Sequence, residues 1–163
     1  MQVIRIGVSS CLLGERVRYD GGHKLDRYIT DTLGSRYQLV GICPEHEAGM
    51  PVPREPMYLV GQPDAPRLVT VTTNLDLTKQ MQDYCTRRLD QLERLGLRGC
   101  ILKSRSPSCG IGSAPLFDEQ GQPTGTTCSG LFAAALQHRF PDLPVVDEEQ
   151  VAICSAVRPA ISW

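Results

Sequence analysis

The chain has 163 residues, 41% of them apolar and 21% charged, with a formal net charge of −1. That length suits one domain with its own core, and that balance is globular rather than disordered. It offers no basic run to hold a polymeric nucleic acid or a membrane surface, and no apolar stretch near the roughly 20 residues that cross a bilayer.

The opening residues Met1–Val8 lack a basic segment followed by a long apolar one and a cleavage site, so a cytoplasmic protein is expected. Val3–Ser10 reads as a central strand that delivers Cys11 at its end. A loop from Leu12 closes in the turn Asp20-Gly21-Gly22. Leu25, Tyr28, Ile29 and Leu33 then fall at helical spacing over 23–33, with Gly34 as a stop. Tyr37–Ile42 is a second strand, ended by Cys43-Pro44-Glu45. Four prolines from Cys43 to Pro56 make a stiff, extended loop. Met57–Val60 and Leu68–Thr72 suit a small hairpin.

The clearest helix spans Leu75–Leu95, with Leu77, Met81, Tyr84, Cys85, Leu89, Leu92 and Leu95 on one face and Gly96 beyond its end. Gly99–Leu102 is a buried strand. The loop Lys103–Gly112 that follows holds two basic residues, three serines, a proline, a cysteine and two glycines. A small excursion covers 115–123. A helix over 129–140, a strand over 143–146 and a closing helix over 147–154 complete the chain. This alternation predicts an α/β fold: a single domain built on a mostly parallel, doubly wound, Rossmann-like sheet with helices on both faces.

Seven cysteines cannot all pair, and in a reducing cytosol they are buried apolar residues, metal ligands or nucleophiles. Cys11, Cys43 and Cys109 share an address, each at the start of a loop that leaves a strand's C-terminal end. In an open parallel sheet such loops meet at the topological switch point. Cys85, Cys100 and Cys154 fit core positions. Cys128 opens a predicted helix, where a thiol is either packed or has a lowered pKa. Three thiolates suit soft chemistry, either zinc with a water or an iron–sulfur cluster with one open iron. Glu45, just past a rigid proline, can place a carboxylate beside that open position as a general acid/base. Ser104, Ser106 and Ser108 fix a polar ligand or the loop's own backbone, while Lys103, Arg105 and Arg54 can meet negative charge. His23, His46 and His138 sit where capping, crowding or a helix end explains them, which leaves the site sulfur-only.

Three motifs then carry a resemblance. Ser10-Cys11-Leu12-Leu13-Gly14 with Val17-Arg18-Tyr19-Asp20-Gly21, Cys43-Pro44-Glu45 with Gly49-Met50-Pro51-Val52-Pro53-Arg54, and Leu102-Lys103-Ser104-Arg105-Ser106-Pro107-Ser108-Cys109-Gly110 together resemble the thiouracil desulfurase family over nearly the whole chain. The resemblance implies one desulfurase-like iron–sulfur domain over 1–163, with a 4Fe–4S cluster held by Cys11, Cys43 and Cys109 and one iron left open. It implies Glu45 as catalytic acid/base and Ser104 as a residue that positions or protonates the substrate. Ser10, Asp20, Arg54, Lys103, Ser106 and Ser108 are the accompanying candidate substrate contacts. The implied reaction is a non-redox, hydrolytic desulfuration of 2-thiouracil or a related thiolated pyrimidine to the oxo base and sulfide. Two rivals stand beside it: a zinc hydrolase with three Cys ligands, and a non-enzymatic domain that stores sulfur or senses redox state.

Overall fold

A computed structural model describes residues 2–157, and the side chains of residues 2–153. Strand β1 (Arg5–Ser9) is buried along most of its length. It pairs in parallel with β2 (Gln38–Ile42) on one side and β5 (Gly99–Leu102) on the other. Strand β8 (Val145–Asp147) adds in parallel beyond β5, giving the order β2-β1-β5-β8. The chain winds from β1 to β2, then returns to the far side of β1. The winding therefore reverses between β1 and β5, and their C-terminal ends flank the switch point.

Strand alternation divides the side chains between two cores. Ile6, Val8 and Ile101 point to one face, where they meet Ile29 and Leu33 of a π-helical turn (Tyr28–Leu33) and Val151 of helix α4 (Glu148–Val157). Ile42, Cys100 and Leu102 point to the other, into a cluster with helices α2 (Thr78–Leu95) and α3 (Leu131–Arg139). The parallel sheet with helices on both faces is the architecture that the alternation of elements predicts. Helix α2 presents Met81, Tyr84, Cys85, Leu89 and Leu92 to the core, each larger apolar side chain contributing about 1.5–3 kcal/mol by burial. Gly96, at φ 67°, ends the helix in a left-handed cap whose N–H donates to the Leu92 and Glu93 carbonyls.

The structure adds a second sheet. The expected hairpin is present as β3 (Met57–Gln62) and β4 (Ala65–Thr70), antiparallel. The expected excursion is β6 (Ala114–Phe117), paired in parallel with β3, and β7 (Pro123–Cys128) completes the order β4-β3-β6-β7. Leu59, Leu68 and Leu116 carry this sheet into the core shared with α2 and α3. Cys128 thus ends a strand rather than opening a helix. It is buried, and burial pushes its thiol up, so it is a packing residue. The helix expected over 23–33 is reduced to the π-helical turn. The stiff loop after Cys43 begins with a one-turn helix, α1 (Pro44–Glu47). Burial raises the Cys85 and Cys100 thiols to about 12, as befits core residues, while the Cys154 side chain lies outside those described. Among the described residues no helix is long and apolar enough to cross a membrane.

Candidate active site at the switch point

Each candidate cysteine is held by local structure that its neighbours dictate. Cys11 sits buried in a 3-10 turn, Ser10–Leu13, directly after β1. Its carbonyl accepts from the Gly14 and Lys24 N–H groups at 3.3 and 2.9 Å, which closes the loop over it. Cys43 precedes a proline and is extended, at φ −129° and ψ 93°, so it ends β2 and caps α1, with Pro44 in the first turn. Its N–H donates to the Glu47 carboxylate. Glu47 is anchored in turn on α2 by Arg88 at 3.0 Å and the Tyr84 hydroxyl at 3.2 Å.

Cys109 is fixed from two directions. The Ser106 hydroxyl accepts from the Ser108 and Cys109 N–H groups at 3.2 and 3.1 Å, turning the loop back on itself. The first amides of α3 then dock on that loop. Gly130 N–H donates to the Gly110 carbonyl at 2.8 Å, Leu131 to Pro107 at 3.1 Å, and Phe132 and Ala133 to Ser108 at 3.0 Å each. A helix's unsatisfied N-terminal donors are thereby spent on the Cys109 loop. The approach is so close that a Cβ at Gly130 would lie 2.4 Å from the Ser108 carbonyl carbon. Gly130→Ala is expected to displace the loop and cost about 1–3 kcal/mol of stability. Chemical denaturation measures the cost, and an unchanged midpoint would show the contact to be slack.

The three loops converge. Cys11, Cys43 and Cys109 all line one cavity of about 450 Å³. Ser10, Glu45, Arg54, Lys103, Ser104, Ser106 and Ser108 line it too. Ser9 ties two of the loops together: its hydroxyl accepts from the Lys103 N–H at 2.9 Å and hydrogen-bonds to the Cys109 thiol. Burial pushes Cys109 up, and Cys11, Cys43 and Glu45 raise it further, so these groups share one electrostatic environment. Burial likewise raises Cys43 to about 11. Cys11 is also raised by burial, against the opposing pull of the Arg18 and Lys103 charges and a hydrogen bond from Arg18.

Glu45 stands between two loops. Its Oε1 accepts from Arg54 Nε at 3.1 Å and its Oε2 from the Ser108 hydroxyl at 2.9 Å, with side chains only 15% and 7% exposed for Glu45 and Arg54. Arg54 is itself pinned by the Pro51 and Val17 carbonyls at 3.1 and 2.9 Å. Both carboxylate oxygens keep a further lone-pair direction for a water or ligand. Ser104 is buried, and its hydroxyl donates to Glu148 at 2.7 Å.

One candidate is not brought in. Asp20 is exposed and outside the cavity lining, where its carboxylate accepts from the Gly22 N–H at 2.9 Å and merely closes the Asp-Gly-Gly turn. Asp20→Ala is expected to leave turnover within twofold of the parent in a steady-state assay, and a larger loss would return Asp20 to the site. None of the three histidines lines the cavity. Three residues that sequence reasoning did not place there belong to this region: Ser9, Arg18 and Glu148. Arg18 stands in one of the three motifs and Ser9 ends the first strand, but nothing local distinguishes Glu148 from any helix-leading acid.

Three thiols that burial pushes up, two of them buried and Cys43 half-buried, need a cation to become thiolates. Among the described residues no three His, Cys, Asp or Glu are grouped to hold a single metal ion. Thiols on three separate loops that line one cavity are the soft donor set that a sulfur-ligated metal group takes.

Fold and site together define an α/β protein that gathers three thiols and a clamped carboxylate at its switch point. The chain belongs to the 2-thiouracil desulfurase family, whose model matches residues 6–148. It is 31% identical over 137 residues to the uncharacterized protein YbbK of Bacillus subtilis (strain 168), a match covering 80% of this chain and 87% of YbbK. The solved structure of a [4Fe-4S]-dependent thiouracil desulfidase, TudS, superposes with a TM-score of 0.74 at 30% identity, over 97% of this chain and 99% of that one.

Proposed function

We propose that this chain is an iron–sulfur desulfurase of a single domain. It exchanges the thiocarbonyl sulfur of 2-thiouracil, or of a related thiolated nucleobase, for oxygen from water. The balance is one water consumed and one hydrogen sulfide released, with no net oxidation or reduction. The observation that carries this reading is the convergence of Cys11, Cys43 and Cys109 on one cavity that Glu45 also lines. These cysteines would hold a 4Fe–4S cluster with one iron open, and that iron supplies a soft Lewis acid for the substrate's sulfur.

The chain's own groups do the rest. Glu45, clamped by Arg54 and Ser108, takes a proton from the attacking water and returns it as sulfur departs. Ser10, Ser106 and Ser108 give the cavity wall its polar contacts, and Lys103, which Ser104 helps to position, faces the developing negative charge. The cavity lies within the roughly 300–1,000 Å³ of small-molecule sites, which fits a thiolated base. A reducing, cytoplasmic setting would keep such thiols free to hold the cluster.

Anaerobic preparation tests the centre and then the reaction. About four irons per chain with broad visible absorbance are expected, and incubation with 2-thiouracil should yield uracil and sulfide. Stoichiometric zinc without visible absorbance would move the protein to the hydrolase reading. A fully loaded cluster that releases no sulfide from any thiolated pyrimidine would leave a sulfur or redox sensor.

A further inference from the structure

We propose that Glu148 is a positioning residue of this site. It fixes the Lys103 ammonium on the cavity wall as a standing positive charge for the sulfur that leaves the substrate. The chemistry of this proposal rests on the desulfurase reading, whereas the placement rests on geometry alone.

The sheet register creates the contact. Strands β5 and β8 pair with Leu102 opposite Asp147, so the next residue of each, Lys103 and Glu148, leaves the sheet beside the other. Glu148 is then held in a rigid first turn. The Asp147 carboxylate accepts from the Gln150 N–H at 2.9 Å, and the Gln150 side-chain carbonyl accepts from the Asp147 N–H at 2.9 Å. This reciprocal pair is a capping box, and a carboxylate in the first turn is favoured by the helix dipole.

From that frame Glu148 meets three donors. Its Oε1 accepts from Lys103 Nζ at 2.6 Å and from the Ser104 hydroxyl at 2.7 Å, and its Oε2 accepts from the Ser104 N–H at 2.8 Å. Lys103 and Glu148 are 18% and 15% exposed, so the pair is screened far less than a surface one. Burial opposes ionisation of Glu148, but the bonds from Lys103 and Ser104 outweigh it and hold its carboxyl below the usual range. Lys103 also donates to the Ser104 hydroxyl at 3.1 Å. The proton of Ser104 is therefore directed at Glu148, and the cation on this wall is Lys103.

That cation lines the same cavity as Cys11, and its charge favours the Cys11 thiolate while the Glu148 charge opposes it. Sulfur leaving a thiocarbonyl carbon carries negative charge away. A fixed ammonium stabilises that charge without having to reorganise, the most effective form of electrostatic assistance. The adjacent Glu149 binds Arg105 at 2.6 Å in an exposed pair, which provides a matched control.

The test combines a kinetic cycle with a chemical label, both on the full chain. In cluster-loaded enzyme, Glu148→Gln is expected to lower kcat at least tenfold with KM within threefold, and with unchanged iron content. Glu149→Gln should match the parent. Adding Glu148→Gln to Lys103→Met should cost less than a further twofold, because the carboxylate acts through the lysine. Multiplying effects, or parental turnover by Glu148→Gln, would overturn the proposal. Trace acetylation at neutral pH, read by peptide mass spectrometry against Lys79, reports the pairing without any turnover. Lys103 should react at least fivefold faster in Glu148→Gln, and an unchanged ratio would overturn Glu148's hold on it. A parent enzyme that is loaded yet inactive would refute the desulfurase reading instead, with the labelling still deciding the role of Glu148.

Discussion

Cys109→Ala is expected to yield a folded protein that retains no stoichiometric iron and no turnover, and Cys11→Ala and Cys43→Ala should behave alike. Among the described cysteines these three, on loops from β5, β1 and β2, line the cavity, whereas Cys85, Cys100 and Cys128 do not and pack in the core. Removing one ligand of three leaves a polynuclear group with two anchors, while removing a core thiol leaves the donor set intact. Cys85→Ala should therefore keep its iron and visible absorbance and lose about 1 kcal/mol of stability, the scale of one small buried group. Iron analysis on anaerobically prepared variants decides the matter. Full iron content in Cys109→Ala would remove that residue from the ligand set.

Glu45→Gln should separate the centre from the chemistry. The substitution keeps the size of the side chain and an oxygen for Arg54 or Ser108, but it removes the base. Turnover should fall about 10²–10⁴-fold, the usual contribution of a general acid/base, with iron and absorbance unchanged. Glu45→Ala is the harsher variant, because it strands the guanidinium of Arg54, only 7% exposed, without its carboxylate. A loss of stability is expected there in addition to the loss of activity. If Glu45→Gln turns over at the parental rate, another group takes the water's proton, and the carboxylate serves only to join the Arg54 and Ser108 loops.

The parts of this molecule that were legible in the sequence are those with a local signature. The long helix declared itself by apolar spacing, and the strands before Cys11, Cys43 and Cys109 by short apolar runs that end in small or rigid residues. The site followed because a parallel sheet forces such loop starts to one edge. Of the second sheet only the β3–β4 hairpin was legible, because its pairing with β6, and that of β6 with β7, has no local signature. Strand β7 is almost wholly exposed and rich in threonine around Gly125, so it has no apolar alternation to mark it as a strand. Cys128 was misplaced with it. Asp20 stood inside a specific motif, yet its carboxylate closes its own turn. Glu148 has the reverse history: its neighbours look ordinary, and only the register of β8 against β5 reveals its partner.

The cysteines are not equally sheltered, for Cys11 and Cys109 are buried and Cys43 is only partly so. With a cluster held as proposed, a chelator or oxidant is expected to reach the Cys43 side ahead of the other two. Iodoacetamide added during slow iron chelation should accordingly label Cys43 ahead of Cys11 and Cys109, and simultaneous labelling of all three would mean that the centre is lost by global opening.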